Sequence, residues 1–149
     1  MFRDVLVPVD LSEKNLRTVD VAAELLRHCG AGARVTLLHV IETIDHVPFE
    51  ELEEFYATLQ RKAEQGLLDL AGRFQGAGGS AGEAAPEEVQ RRVVFGHRAR
   101  SIVDFAAEQG CDLIILSSHR VDPERRGEDW ATLSHKVAIL SPCPVLLVK

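Results

Sequence analysis

Asp10 is the residue best placed to do chemistry. It closes the apolar run Val5-Leu6-Val7-Pro8-Val9 and stands two residues before Ser12. A carboxylate there can take a ribose hydroxyl or an adenine amine. It also suits a helix start, where it faces the positive end of the helix dipole. His39, His97 and His119 lie at the ends of later apolar runs. With a carboxylate they could ligate a metal. Their spacing is not a metal signature and no two stand at i, i+4 on one helix, so they read as unrelated histidines with no metal. Cys143, in Ser141-Pro142-Cys143-Pro144, opens the last run at the end opposite any ligand rim. A nucleophilic thiol needs a base or a helix N-terminus, so Cys143 is expected to be a buried structural thiol, with Cys29 and Cys111 at small core positions. Arg120, Arg125 and Arg126 could meet phosphate, but Asp122, Glu124, Glu128 and Asp129 lie among them. That mixture predicts a solvated loop.

Familiar catalytic signatures are missing. The sequence has no GxGxxG after its first run, no GxxxxGK[ST] and no GxSxG elbow, since its one GxSxG match, Gly78-Gly79-Ser80-Ala81-Gly82, falls in a Gly/Ala/Ser-rich segment and not between a strand and a helix. That sets aside the dinucleotide fingerprint, the P-loop and the hydrolase elbow. A phosphorylation receiver would carry an aspartate at the end of its third strand, where Phe95-Gly96-His97 stands. The 149 residues, 46% hydrophobic and 27% charged, fit one domain over residues 1–149 with a core that needs no staples. A net charge of -6 disfavours nucleic acid and anionic membranes as partners. Three separated cysteines with no CxxC pair argue against a disulfide framework or a zinc site. The N-terminus lacks a signal-like segment and no apolar stretch reaches the roughly 18–20 residues of a membrane span, so a cytoplasmic location is expected.

Positioning these residues takes alternating strands and helices. Val5–Val9, Arg34–Ile41, Val89–Phe95, Leu113–Leu116 and Val145–Val148 are apolar on both faces, as strands of a covered parallel sheet are. After the first, Ser12 is the expected N-cap of a helix with Leu16, Val19, Ala23 and Leu26 inward and Gly30 as terminator. A long helix follows Pro48, with Phe49, Leu52, Phe55, Leu59, Ala63, Leu67, Leu70 and Phe74 at helical spacing and expected in the core. A third runs from Ala99 to Gln109, with Ile102, Phe105 and Ala106 inward and Gly110 ending it. A fourth runs from Glu128 to Leu140, with Trp130, Leu133, Val137 and Leu140 inward and Pro142 and Pro144 beyond it. Gly76 to Pro86 reads as a flexible surface loop. The alternation predicts an α/β fold, a doubly wound parallel sheet with right-handed crossovers and helices on both faces. Ligands bind such sheets outside the carboxyl ends of the strands, where Asp10, His39, Ser117 and Ser118 stand.

Several of these segments resemble the universal stress protein family. Val7-Pro8-Val9-Asp10-Leu11-Ser12 is similar to its opening V-P-x-D-x-S, and Leu37-Leu38-His39-Val40 to its second strand. Gly96-His97-Arg98-Ala99, Cys111-Asp112-Leu113-Ile114-Ile115-Leu116 and Pro142-Cys143-Pro144-Val145-Leu146-Leu147-Val148 match later motifs in order. The resemblance implies five parallel strands in the order 3-2-1-4-5. It assigns Asp10 and Val40 to ribose and adenine, and Ser117, Ser118 and Thr132 to a nucleotide site. Nucleotide-binding members carry G-x2-G-x9-G-[ST] after the fourth strand. Here the first two glycines fall on Ser117 and Arg120 and the last pair on Ala131-Thr132, while Gly127 fits neither register. The loop is degenerate, as in the branch of the family that does not follow the ATP-binding pattern.

The expected function is a homodimeric stress-response binding module, not an enzyme, with no required cofactor, weak ATP or AMP binding and a protein partner of unknown kind. The alternative is an adenine-nucleotide switch of the same fold with slow ATP hydrolysis; a metal- or thiol-dependent enzyme is the more distant rival. Pairing is expected through the edge strand Pro144–Lys149, because an apolar edge is normally covered. Weak ATP binding is expected because some glycine turns need a positive φ, which costs other residues roughly 1–2 kcal/mol each.

Overall fold

The five apolar runs form β1 (Asp4–Pro8), β2 (Arg34–Glu42), β3 (Glu88–Gly96), β4 (Leu113–Ser117) and β5 (Val145–Val148). Between them lie α1 (Lys14–His28), α2 (Glu53–Gln75), α3 (Arg98–Gln109) and α4 (Leu133–Leu140), with a 3-10 turn at Phe49–Leu52 leading into α2. This computed structural model describes residues 2–29, 32–75, 86, 88–119, 124 and 132–149. Gly30, all of the expected loop from Gly76 to Pro86 except Pro86 itself, Arg120, Asp122 and the residues from Arg125 to Ala131, Trp130 among them, lie outside that set.

The strands make one sheet in the order β3-β2-β1-β4-β5, every pair parallel. Side chains alternate across it. Val5, Val7, Val35, Leu37 and Ile115 pack with Val19 and Leu26 of α1 and Leu67 and Phe74 of α2. Leu6, Leu38, Ile114 and Leu116 pack on the other face with Ile102 and Ala106 of α3 and Val137 of α4. Strand order reverses between β1 and β4, which puts the open crevice at their carboxyl ends.

The helix phases depart from expectation in three places. In α1 the cap position is Glu13, not Ser12, and no side chain caps it; Leu16 is exposed while Asn15 is buried. In α2 the inward positions are Tyr56, Ala63, Leu67, Leu70 and Phe74. Tyr56 takes the core site, so Phe55, one residue and about 100° away, is 50% exposed, and Phe49 is 45% exposed. In α4 Val137 is buried but Leu140 is 60% exposed. Gly110 ends α3 as expected, with φ 66 and its N–H on the Ala106 and Ala107 carbonyls. Cys143 is half-buried rather than buried, as are Cys29 and Cys111, and all three are reduced. Burial pushes the Cys111 thiol up to about 11, with Cys143, Asp4 and Asp112 adding to it.

Candidate functional site

The crevice is assembled by the turn that follows β1. Val9 donates its N–H to the Leu38 carbonyl at 2.8 Å, and His39 Nδ1 donates to the Val9 carbonyl at 2.8 Å. These bonds hold the chain against β2, which runs on past the end of β1. Asn15, at the start of α1, then organises the turn. Its Oδ1 accepts the N–H groups of Asp10 and Leu11, both at 2.8 Å. Asp10 Oδ1 accepts the Ser12 N–H at 2.9 Å, closing an Asx turn. Leu11 adopts φ 65, a conformation that disfavours a side chain. Its side chain lies over Gly66 of α2, where an added Cβ would stand 3.0 Å from Leu11 Cδ2. On the far side, Asn15 Nδ2 donates to Ser117 Oγ at 3.0 Å, and Ser117 Oγ lies 2.6 Å from Thr18 Oγ1. A buried amide thus ties the β1 turn to the end of β4.

A hollow of about 60 Å³ opens beside this turn. Leu38, Val40, Ile102 and Leu133 form its apolar walls, with Asp10, His39, Arg98 and Ser117 as polar groups. Burial works to raise the Asp10 carboxyl, but the Ser12 side-chain and backbone hydrogen bonds and the Arg98 charge outweigh it and hold the pKa below the ordinary aspartate value. The carboxylate therefore stays charged at neutral pH as an acceptor. The Arg98 guanidinium also lies 3.4 Å from Glu42.

Of the residues singled out from the sequence, Asp10, His39, Val40 and Ser117 converge on the hollow. Ser118 and Thr132 do not line it. Their hydroxyls both lie 3.2 Å from Ser134 Oγ, and Thr132 accepts the His135 N–H at 3.4 Å as the cap of α4. The expected backbone strain is absent at Ser117, the one described glycine position of the family loop, which is an ordinary strand residue. Thr132, at the loop's Ser/Thr position, is extended, with φ -68 and ψ 159. Arg120, Arg125, Arg126 and Ala131 lie outside the described residues. The histidines have separate roles: His39 braces Val9, and His97 stands 3.7 Å from Asp45 on the surface. Among the described residues, no group of three or more His, Cys, Asp or Glu is placed to hold a metal.

Sequence reasoning missed Asn15 and Arg98. Asn15 had a signal: it stands four residues before Val19, on the stripe that α1 turns inward. A polar amide there has to find partners. Arg98 had none, because its side of the hollow is set by how α3 packs.

The family model for the universal stress protein family matches residues 1–149. The chain is 27% identical to universal stress protein YxiE of Bacillus subtilis over 161 aligned residues, covering 100% of both. It superimposes on a universal stress protein in complex with cAMP with a TM-score of 0.69 at 19% identity, covering 99% of this chain and 96% of that one. A universal stress protein from Archaeoglobus fulgidus in complex with dAMP gives a TM-score of 0.66 at 19% identity, over 99% and 98% of the two chains. At that identity the likeness is one of fold.

Proposed function

This chain belongs to the universal stress protein family, and we propose that it acts there as a cytoplasmic, homodimeric regulatory module over residues 1–149. It takes an adenosine moiety, as the nucleoside or a monophosphate, holds ATP weakly and turns no substrate over.

The observation that carries this reading is the Asp10 turn: a carboxylate kept charged at the mouth of an apolar slot, between the carboxyl ends of β1 and β4. A charged acceptor suits ribose hydroxyls, and the Leu38 and Val40 walls suit the faces of a purine. Relatives in complex with cAMP and dAMP support a ligand with a single phosphate. At Ser117 the weak binding of ATP rests on occupancy rather than strain. Ser117 fills the first glycine position of the family loop, and its hydroxyl is already committed to Asn15 and Thr18. Calorimetry should give AMP binding that Asp10→Ala abolishes, and ATP with magnesium no tighter than about 100 μM, roughly -5.5 kcal/mol. A low-micromolar constant for ATP, lost in Asp10→Ala, would overturn this in favour of an ATP switch.

The edge strand β5 supports the homodimer. Leu146 is exposed on it, and Ile139 and Leu140 are exposed on the preceding helix, an apolar margin that an antiparallel copy of β5 would cover. Leu147→Pro removes a ladder N–H and should shift the protein toward monomer. Wild type sedimenting as a monomer at micromolar concentration would refute the pairing. Among the described residues no helix is long and apolar enough to cross a membrane.

A further inference from the structure

Ile44, Val47, Phe49 and Phe55 are large apolar side chains left exposed on one segment, the connection from β2 and the first turn of α2 that follows it. They stand on a rigid base. Phe49 stacks on the buried Tyr56 ring with centroids 4.9 Å apart and meets Phe95 edge-on at 5.5 Å. Phe55 leans on Tyr56 at 5.6 Å. The Tyr56 hydroxyl accepts the Ile44 N–H at 2.9 Å, which ties the loop to the helix. His46, with φ 67, turns the chain between Ile44 and Val47. The result is an apolar platform that already has its shape.

Its border is acidic. Glu50, Glu51, Glu53 and Glu54 are all exposed, and none has an ion-pair partner among the described residues. Glu51 stands four residues before Phe55 and Glu54 directly before it. Acid in a first turn complements the helix dipole. That accounts for the carboxylates but not for the rings among them, which gain nothing from water.

The geometry points to a docking surface for a basic amphipathic helix of a partner protein. Its apolar side chains cover Phe49, Phe55, Ile44 and Val47, and its lysines or arginines meet the glutamates along the border. Two other covers fit less well. A second copy in a two-fold contact would press one acidic border against the other. A membrane would bring the same carboxylates against anionic headgroups.

The test uses a short fluorescein-labelled helical peptide of leucine and lysine, patterned so that the leucines share one face. The comparison peptide has glutamate in place of lysine. Anisotropy at physiological salt should show binding of the lysine peptide and not the glutamate one, with amide shifts concentrated over residues 44–56. Phe55→Ser should weaken binding at least about tenfold, as should the pair Glu51→Lys and Glu54→Lys, which leaves the rings in place and guards against a folding artefact in the first variant. Equal binding of both peptides, shifts elsewhere, or unchanged affinity in both variants would overturn the proposal. So would self-association of the wild type that Phe55→Ser abolishes, since the occupant would then be a second copy.

Discussion

Two of the connections that leave the carboxyl ends of the strands manage their exposed groups in opposite ways. The turn from β1 to α1 is polar and satisfies itself: Asp10, Leu11 and Ser12 direct their N–H groups to Asn15 and Asp10 oxygens. The connection from β2 into the first turn of α2 leaves the apolar side chains of Ile44, Val47, Phe49 and Phe55 in water. Each carries one non-glycine residue at positive φ, Leu11 at 65 and His46 at 67, at a cost of roughly 1–2 kcal/mol apiece. Each is braced by one buried side chain, Asn15 in the first and Tyr56 in the second. The difference lies in what completes them. Polar groups can satisfy one another within a chain, so the first turn keeps its shape without a ligand. Apolar surface is relieved only by cover from outside.

The largest expected effect is at the brace of the apolar connection. Tyr56 is 1% exposed and underlies both Phe49 and Phe55. Tyr56→Ala should cost about 3–5 kcal/mol, the range for a buried aromatic, read from urea denaturation. A loss under about 1 kcal/mol would mean that the platform is not anchored where the rings meet.

Asn15 is the corresponding test of the polar turn. Removing its amide leaves the Asp10 and Leu11 N–H groups without their acceptor and frees Ser117 Oγ from one partner. Asn15→Ala should cost about 1–3 kcal/mol and weaken AMP binding by releasing Asp10. If stability falls as expected and AMP affinity is unchanged, the turn does not preorganise the site and the contrast between the two connections is lost.

Phe55→Ala should be much milder. Half of a phenylalanine's burial is worth roughly 1 kcal/mol, and alanine recovers about 0.5 kcal/mol in helix propensity. The net loss should be near 0.5 kcal/mol by the same denaturation measurement. A loss of about 3 kcal/mol or more would return Phe55 to the core.

That variant also marks where the sequence stopped being informative. Strand β5 was legible to the residue, because four apolar neighbours directly after Pro142 and Pro144, which end the helix before them, leave little else to form. So was the end of α3, where Gly110 supplies the left-handed cap. Asp10, Val40 and Ser117 could be brought together because strand ends share one rim in this topology. The phase of α2 could not be read, since Phe55 and Tyr56 are adjacent rings that both suit an apolar stripe. The choice rests on Phe95 of β3, 5.8 Å from the Tyr56 ring, and on the Ile44 N–H, both distant in sequence. Asn15 was hidden for a related reason: Leu16 is the more apolar of two neighbours, but the turn's N–H groups need the amide inside.

The smallest effect is expected from Asp10→Asn, and it should fade in acid. Folding lowers the Asp10 pKa: burial alone would raise it, and the Ser12 hydrogen bonds with the Arg98 charge overcome that. A carboxyl with a folded pKa below its unfolded value of 3.8 contributes stability above that value. The contribution disappears as pH falls through the lower folded value, where both states are protonated. An asparagine has no such titration, yet its Oδ1 still accepts the Ser12 N–H, so the turn should persist. The variant should therefore be slightly less stable than the wild type near pH 7, and between about pH 5 and 2 it should lose less stability than the wild type, so that the gap closes in acid. Asp20 also titrates low, held mainly by its hydrogen bond from Arg73, but it is common to both proteins and cancels in the difference. Parallel acid limbs for variant and wild type would show that Asp10 gains nothing from its turn. The polar connection would then be no more self-sufficient than the apolar one.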